Sequence, residues 1–126
     1  MSLRSPLGRV RGLGSAKDGT GHWWAQRLTA VALIPLSIWF AASVAAMTGA
    51  GYVEFRDWVG SPLVASLLIL VIVSTFYHAY LGLQVVIEDY VHNEATKLVG
   101  LVLVKGAAIL LAVIGVVSVL MLLLGS

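Results

Sequence analysis

The stretch His78-Ala79-Tyr80-Leu81-Gly82-Leu83-Gln84-Val85-Val86-Ile87-Glu88-Asp89-Tyr90 decides the fold of this chain. It begins with a histidine inside an apolar run and ends on two carboxylates and a tyrosine. Between Trp58 and Ile87 no residue carries a formal charge. A run of this length far exceeds the usual strand of about 5–6 residues, so it reads as a helix that crosses a membrane. An ionisable residue inside such a span marks a functional site by default. At about 100° per residue, positions 78 and 89 return to nearly the same azimuth, about 16 Å apart along the axis. One group lies in the bilayer and the other at its edge.

Composition agrees with a membrane reading. Of 126 residues, 60% are hydrophobic and only 11% charged, with a mean hydropathy of +0.97. A soluble domain would carry about 25% charged residues. The length leaves room for three spans of about 20 residues and no extramembrane domain that could house a soluble active site. Any redox chemistry must therefore rest on a bound cofactor or a partner subunit. The absence of cysteine excludes disulfides, thiolate-held iron–sulfur clusters and cysteine-ligated metal within the chain. The net charge of +2 is concentrated at one end, which is a topology signal and speaks against nucleic-acid binding.

Residues 1–21 form a basic, glycine-rich segment expected to be a flexible tail, with Arg4, Arg9, Arg11 and Lys17 against Asp18. No apolar core of signal-peptide length precedes residue 28. Trp23, Trp24 and Arg27 then suit the water–hydrocarbon boundary, where indole is apolar in body with one N–H to hydrate. One membrane domain over 22–126 follows, with spans at about 28–47, 63–87 and 98–125. Pro35 should kink the first span, and Pro62 suits the first turn of the second. The 48–62 connection, with Glu54, Arg56 and Asp57, reads as an interfacial loop with a short amphipathic turn. The fold class is all-α, an integral membrane protein of three transmembrane helices.

With three spans, Arg4, Arg9, Arg11, Lys17, Arg27 and Lys97 fall on one side and only Arg56 on the other. That bias places the N-terminus in the cytoplasm of a bacterium. The same side holds Glu88, Asp89 and Tyr90, with Arg27 at the mouth of the first span among them and His78 deeper. Neutral imidazole ligates haem iron, and a haem in a helical bundle needs only axial histidines on facing helices. A histidine hydrogen-bonded to a neighbouring helix accounts for His78 equally well. Ser74 and Gly82, one turn away, would let a macrocycle or another helix approach closely. Only one histidine points inward, so a bis-histidine haem would need its second ligand from another polypeptide. His22 and His92 read as solvated interfacial residues. Arg27 is either an anchor or a partner for a carboxylate such as a haem propionate. Asp89 and Tyr90 are either a solvated helix end or a quinone site, in which a phenol donates to a carbonyl and a carboxylate relays protons. Lys105 most simply snorkels to the interface.

Gln26-Arg27-Leu28-Thr29-Ala30 and, more specifically, the His78–Tyr90 stretch resemble the hydrophobic membrane-anchor subunits of succinate dehydrogenase, respiratory complex II. The similarity in layout covers nearly the whole chain: basic tail, three spans, and motifs in the first two. It implies half of a haem-binding bundle. His78 would be an axial ligand of haem b, with the opposite ligand on a large cytochrome b subunit. Arg27 would lie by the haem propionates, and Tyr90 with Asp89 would bind ubiquinone. The flavoprotein and iron–sulfur subunits would be further partners, so the chain would be a non-catalytic subunit of an oxidoreductase in a bacterial inner membrane or, alternatively, a mitochondrial inner membrane. Alternatives are an anchor of quinol:fumarate reductase and, from another class, a cofactor-free adaptor or small transporter subunit. Lys105 and His92-Asn93-Glu94 map to no family feature.

Overall fold

The computed structural model describes residues 15–125, with side chains from Thr20 onward. Four helices make up this region: α1 Ser15–Ala46, α2 Tyr52–Val59, α3 Pro62–Tyr90 and α4 Glu94–Leu124. The architecture is all-α, and α1, α3 and α4 are long and apolar enough to cross a membrane. At about 1.5 Å per residue each exceeds a hydrocarbon core of about 30 Å, so their ends project or the helices tilt. α1 starts earlier than expected. Residues 15–21, read as tail, form its first turns, while residues 1–14, with Arg4, Arg9 and Arg11, lie outside the described residues. Pro35 does not interrupt α1.

Local chemistry explains the helix ends. Pro62 takes the first position of α3, where its missing N–H is one that no helical carbonyl would have accepted. Asn93 caps α4, its side-chain oxygen accepting from the Ala95 and Thr96 amides at 3.0 and 3.1 Å. Glu94 pairs with Lys97 at 3.5 Å in the same turn. At α2 the Gly51 amide donates to Glu54 Oε2 at 2.9 Å. The chain leaves α1 through Gly49 at φ 86°, a left-handed conformation that costs glycine little.

α3 is the central helix. α1 and α4 pack against it and not against each other. α2 tucks under the far end, where Val59, Ala65, Leu68 and Val119 form a buried cluster with Trp39 and Trp58 around it. Trp39 and Trp58 stack with centroids 5.9 Å apart. Between α3 and α4, isoleucine side chains of α3 lie against glycines of α4. A Cβ on Gly115 would sit 3.1 Å from Ile72 Cγ2, and one on Gly100 would sit 3.7 Å from Ile87. Small residues at the contact are how helices associate in lipid, where no hydrophobic force drives them together. Ser66 and Ser118 return their hydroxyls to carbonyls of their own helices at 2.8 and 2.7 Å, so they need no outside partner. Most large apolar side chains face outward. In a bilayer those faces meet lipid or another membrane subunit.

Candidate functional site

His78 lies on the α1–α3 seam, near the middle of α3. Its Nδ1 is 3.0 Å from Thr29 Oγ1 on α1. The Thr29 hydroxyl also reaches the carbonyls of Ala25 and Gln26 at 2.8 and 3.0 Å. A hydroxyl has one proton, and when a backbone carbonyl takes it the oxygen lone pairs face the imidazole. In that arrangement Thr29 Oγ1 accepts from His78, and the imidazole proton is on Nδ1. Nε2 is left with its lone pair and no hydrogen-bond partner among the described residues. This is how second-shell groups prepare a histidine for a metal: one ring nitrogen donates and the other is bare.

The seam is polar over several turns. His22, Gln26 and Thr29 recur on one face of α1 at helical spacing, and all three are half-buried. Gly82 of α3 faces them, with a Cβ there 3.9 Å from Gln26 Nε2. The small residue one turn after His78 therefore admits α1. His22 differs from expectation: its Nε2 is covered and unpartnered among the described residues, as is Gln26 Oε1. Buried polar atoms are normally paired, and these two lie covered on the α1 face that carries Thr29. The sequence reading missed Thr29 as the partner of His78. Its position on the face of His22 and Gln26 was the available signal.

Arg27 sits deeper than the sequence suggested. Thr29 is level with His78, and Arg27 is two residues, about 3 Å, nearer the end carrying Tyr90. Asp89 is eleven residues, about 16 Å, from His78 in that direction. Arg27 is therefore near the depth of His78 and roughly 13 Å below Asp89. The expected grouping of Arg27 with Asp89 is replaced by one with His78. Two residues along from Thr29 and one from Gln26, Arg27 is turned away from α3. It is exposed, with its guanidinium carbon 5.2 Å from the Trp23 ring centroid. Trp23 meets Trp24 edge to face at 5.0 Å.

α3 stays helical through Tyr90, so His78 and Asp89 share a face as the spacing predicts. Asp89 and Tyr90 are exposed, Tyr90 at 77%, and neither makes a hydrogen bond or ion pair among the described residues. Gln84 instead donates to Glu88, at 3.1 Å. Among the described residues no cluster of three or more His, Asp or Glu side chains is placed to hold a metal ion. A single histidine with an unpartnered ring nitrogen fits one ligand of a haem, whose second ligand would have to come from another chain.

Residues 1–124 match the family described as succinate dehydrogenase/fumarate reductase transmembrane subunit. The succinate dehydrogenase hydrophobic membrane anchor subunit of Rickettsia bellii is 33% identical over 118 residues, covering 93% of this chain and 94% of its own. That of Paracoccus denitrificans is 32% identical, over 77% of this chain and 75% of its own. The membrane anchor subunit of Reclinomonas americana is 31% identical, over 74% and 80%. No solved structure matches. With a family match from end to end and relatives of this similarity over most of their length, the chain belongs to the succinate dehydrogenase/fumarate reductase transmembrane subunit family.

Proposed function

We propose that the chain anchors a succinate dehydrogenase in the membrane, supplies His78 as one axial ligand of a haem b, and contributes Asp89 and Tyr90 to a ubiquinone site. The observation that carries the haem half is the Thr29–His78 contact at 3.0 Å, which engages Nδ1 and leaves Nε2 without a partner among the described residues, near the middle of α3. A bound haem would supply a one-electron carrier there. Thr29 holds the ring's tautomer and orientation. Arg27, near the depth of His78, is the cation within reach of haem carboxylates, and a guanidinium can hold such a group bidentately. The second axial ligand comes from a large cytochrome b subunit.

At the Tyr90 end, the phenol donates a hydrogen bond to a quinone carbonyl, and Asp89 orients or protonates the bound quinone. Their exposure in the single chain leaves them open to a docked iron–sulfur subunit, which with the flavoprotein subunit completes succinate oxidation. The Lys and Arg count places this end, and the N-terminus, on the cytoplasmic side of a bacterial inner membrane. The names of the relatives favour succinate oxidation over fumarate reduction as the reading.

The test is the visible spectrum of the purified complex. A reduced b-type haem band that disappears in His78→Ala, with the complex still assembled, is the expected result. A complex without haem, or one whose band survives that substitution, removes the ligand assignment.

A further inference from the structure

Lys105 is the one charge within the apolar length of α4, and neither the family motifs nor the site above uses it. It is exposed and makes no ion pair or hydrogen bond among the described residues. It lines a cavity of about 270 Å³ between α3 and α4, with Phe76, Tyr77, Tyr80, Ala108 and Ala112 among the walls. Apart from the lysine head and the two phenols this lining is apolar. The volume falls just short of the roughly 300–1,000 Å³ of pockets that engulf whole small molecules. It suits a segment of a flexible chain. Neither Tyr77 nor Tyr80 makes a hydrogen bond among the described residues.

Depth and direction identify the occupant. Gly115 lies against Ile72 and Gly100 against Ile87, a register that sets Lys105 level with Gly82, about 12 Å inside the Tyr90 end of α3. Side chains on a helix lean toward its N-terminus, and for α4 that is the same end. The Lys105 stem therefore points its ammonium toward the nearer headgroup layer. Around α3, Phe76 and Tyr80 lie about 160° from His78 and Tyr77 about 100°. A subunit that completes a haem at His78 approaches from the other side of α3 and leaves this cavity facing the bilayer.

We propose that the α3–α4 groove is a binding site for one anionic phospholipid, its phosphate on Lys105 and part of an acyl chain over Ala108 and Ala112. The choice of lipid over a protein partner rests on the haem reading, because His78 sets which side of α3 the partner takes. The cation gives charge selectivity and the small residues leave the space.

The complex is purified into nanodiscs of equimolar phosphatidylglycerol and phosphatidylcholine, and retained lipid is measured by native mass spectrometry alongside the haem spectrum. Wild type and Lys105→Arg should retain phosphatidylglycerol in preference to phosphatidylcholine. Lys105→Gln should lose about fivefold of that preference, the factor one basic residue contributes near an anionic lipid. Ala112→Leu, which fills the groove and keeps the charge, should reduce retention of both lipids. Added inorganic phosphate should not displace the lipid. Equal retention by Lys105→Gln and wild type, displacement by phosphate, or a carbodiimide cross-link from Lys105 to a partner carboxylate would overturn the proposal. A wild-type complex without haem would instead overturn the reading of His78, whatever the lipid result.

Discussion

Replacing Thr29 with valine keeps the branched side chain and removes only the hydroxyl that meets His78 Nδ1 at 3.0 Å. Hydrogen bonds between membrane helices contribute about 0.6 kcal/mol on average and about 1.7 at most. Stranding the Nδ1 proton in a covered seam adds about 1–3 kcal/mol. Together these weaken the ligand-ready state by roughly 1–3 kcal/mol, since part of the strand cost is relieved when the ring turns. Loss of an outer-shell partner typically costs about 10–100-fold in metal affinity, which is the same range. The assay is transfer of haem from the solubilised complex to excess apomyoglobin, followed in the Soret region. Thr29→Val should release haem about 10–100-fold more readily, while Thr29→Ser, which retains the hydroxyl, should behave as wild type. A thermal melt of the same samples separates ligand weakening from a general loosening of the α1–α3 seam. If Thr29→Val holds haem as tightly as wild type, or serine fails as badly as valine, the hydroxyl does not set the tautomer.

Tyr90→Phe should lower quinone reductase activity with haem content unchanged; intact activity would show that the quinone site lies elsewhere. Gly115→Leu should destabilise the α3–α4 pair by about 1–3 kcal/mol, because even a Cβ meets Ile72 at 3.1 Å. Gly100→Ala, whose Cβ finds an ordinary 3.7 Å contact with Ile87, should leave the melting temperature of the complex almost unmoved. Asn93→Ala removes both side-chain bonds to the first turn of α4 and should cost about 0.5–2 kcal/mol. Faster amide hydrogen exchange over residues 95–97, with the middle of α4 unchanged, is the local signature.

Much of the fold was legible because a bilayer leaves few choices. Apolar runs longer than any strand, with no charge inside the first two and only Lys105 inside the third, must be helices that satisfy their own backbone. Pro62 and Asn93 mark helix starts by chemistry that acts within one turn, so α3 and α4 begin where the residues say. The start of α1 was harder. Residues 15–21 are polar and glycine-rich, and nothing in their composition separates a projecting helical turn from a tail.

His78, Asp89 and Tyr90 stand out in the sequence because each is a polar or ionisable group in or beside an apolar run, and the eleven-residue spacing of the first two survives in an unbroken α3. What surrounds them was decided only by how the helices meet. The depth of Arg27 beside His78, the bond from His78 to Thr29, the covered His22 Nε2 and the side of α3 on which Lys105 opens all depend on register and rotation between helices. The apolar faces of α1, α3 and α4 do not encode these, since in lipid a helix gains no hydrophobic energy by turning one such face inward. Specific contacts between the helices set them instead, the tightest being Ile72 against Gly115 and the polar one His78 against Thr29. The sequence by itself determined the membrane class, the three spans and a histidine set within them. The tertiary structure decided that Nδ1 of that histidine meets Thr29, with no partner for Nε2 among the described residues.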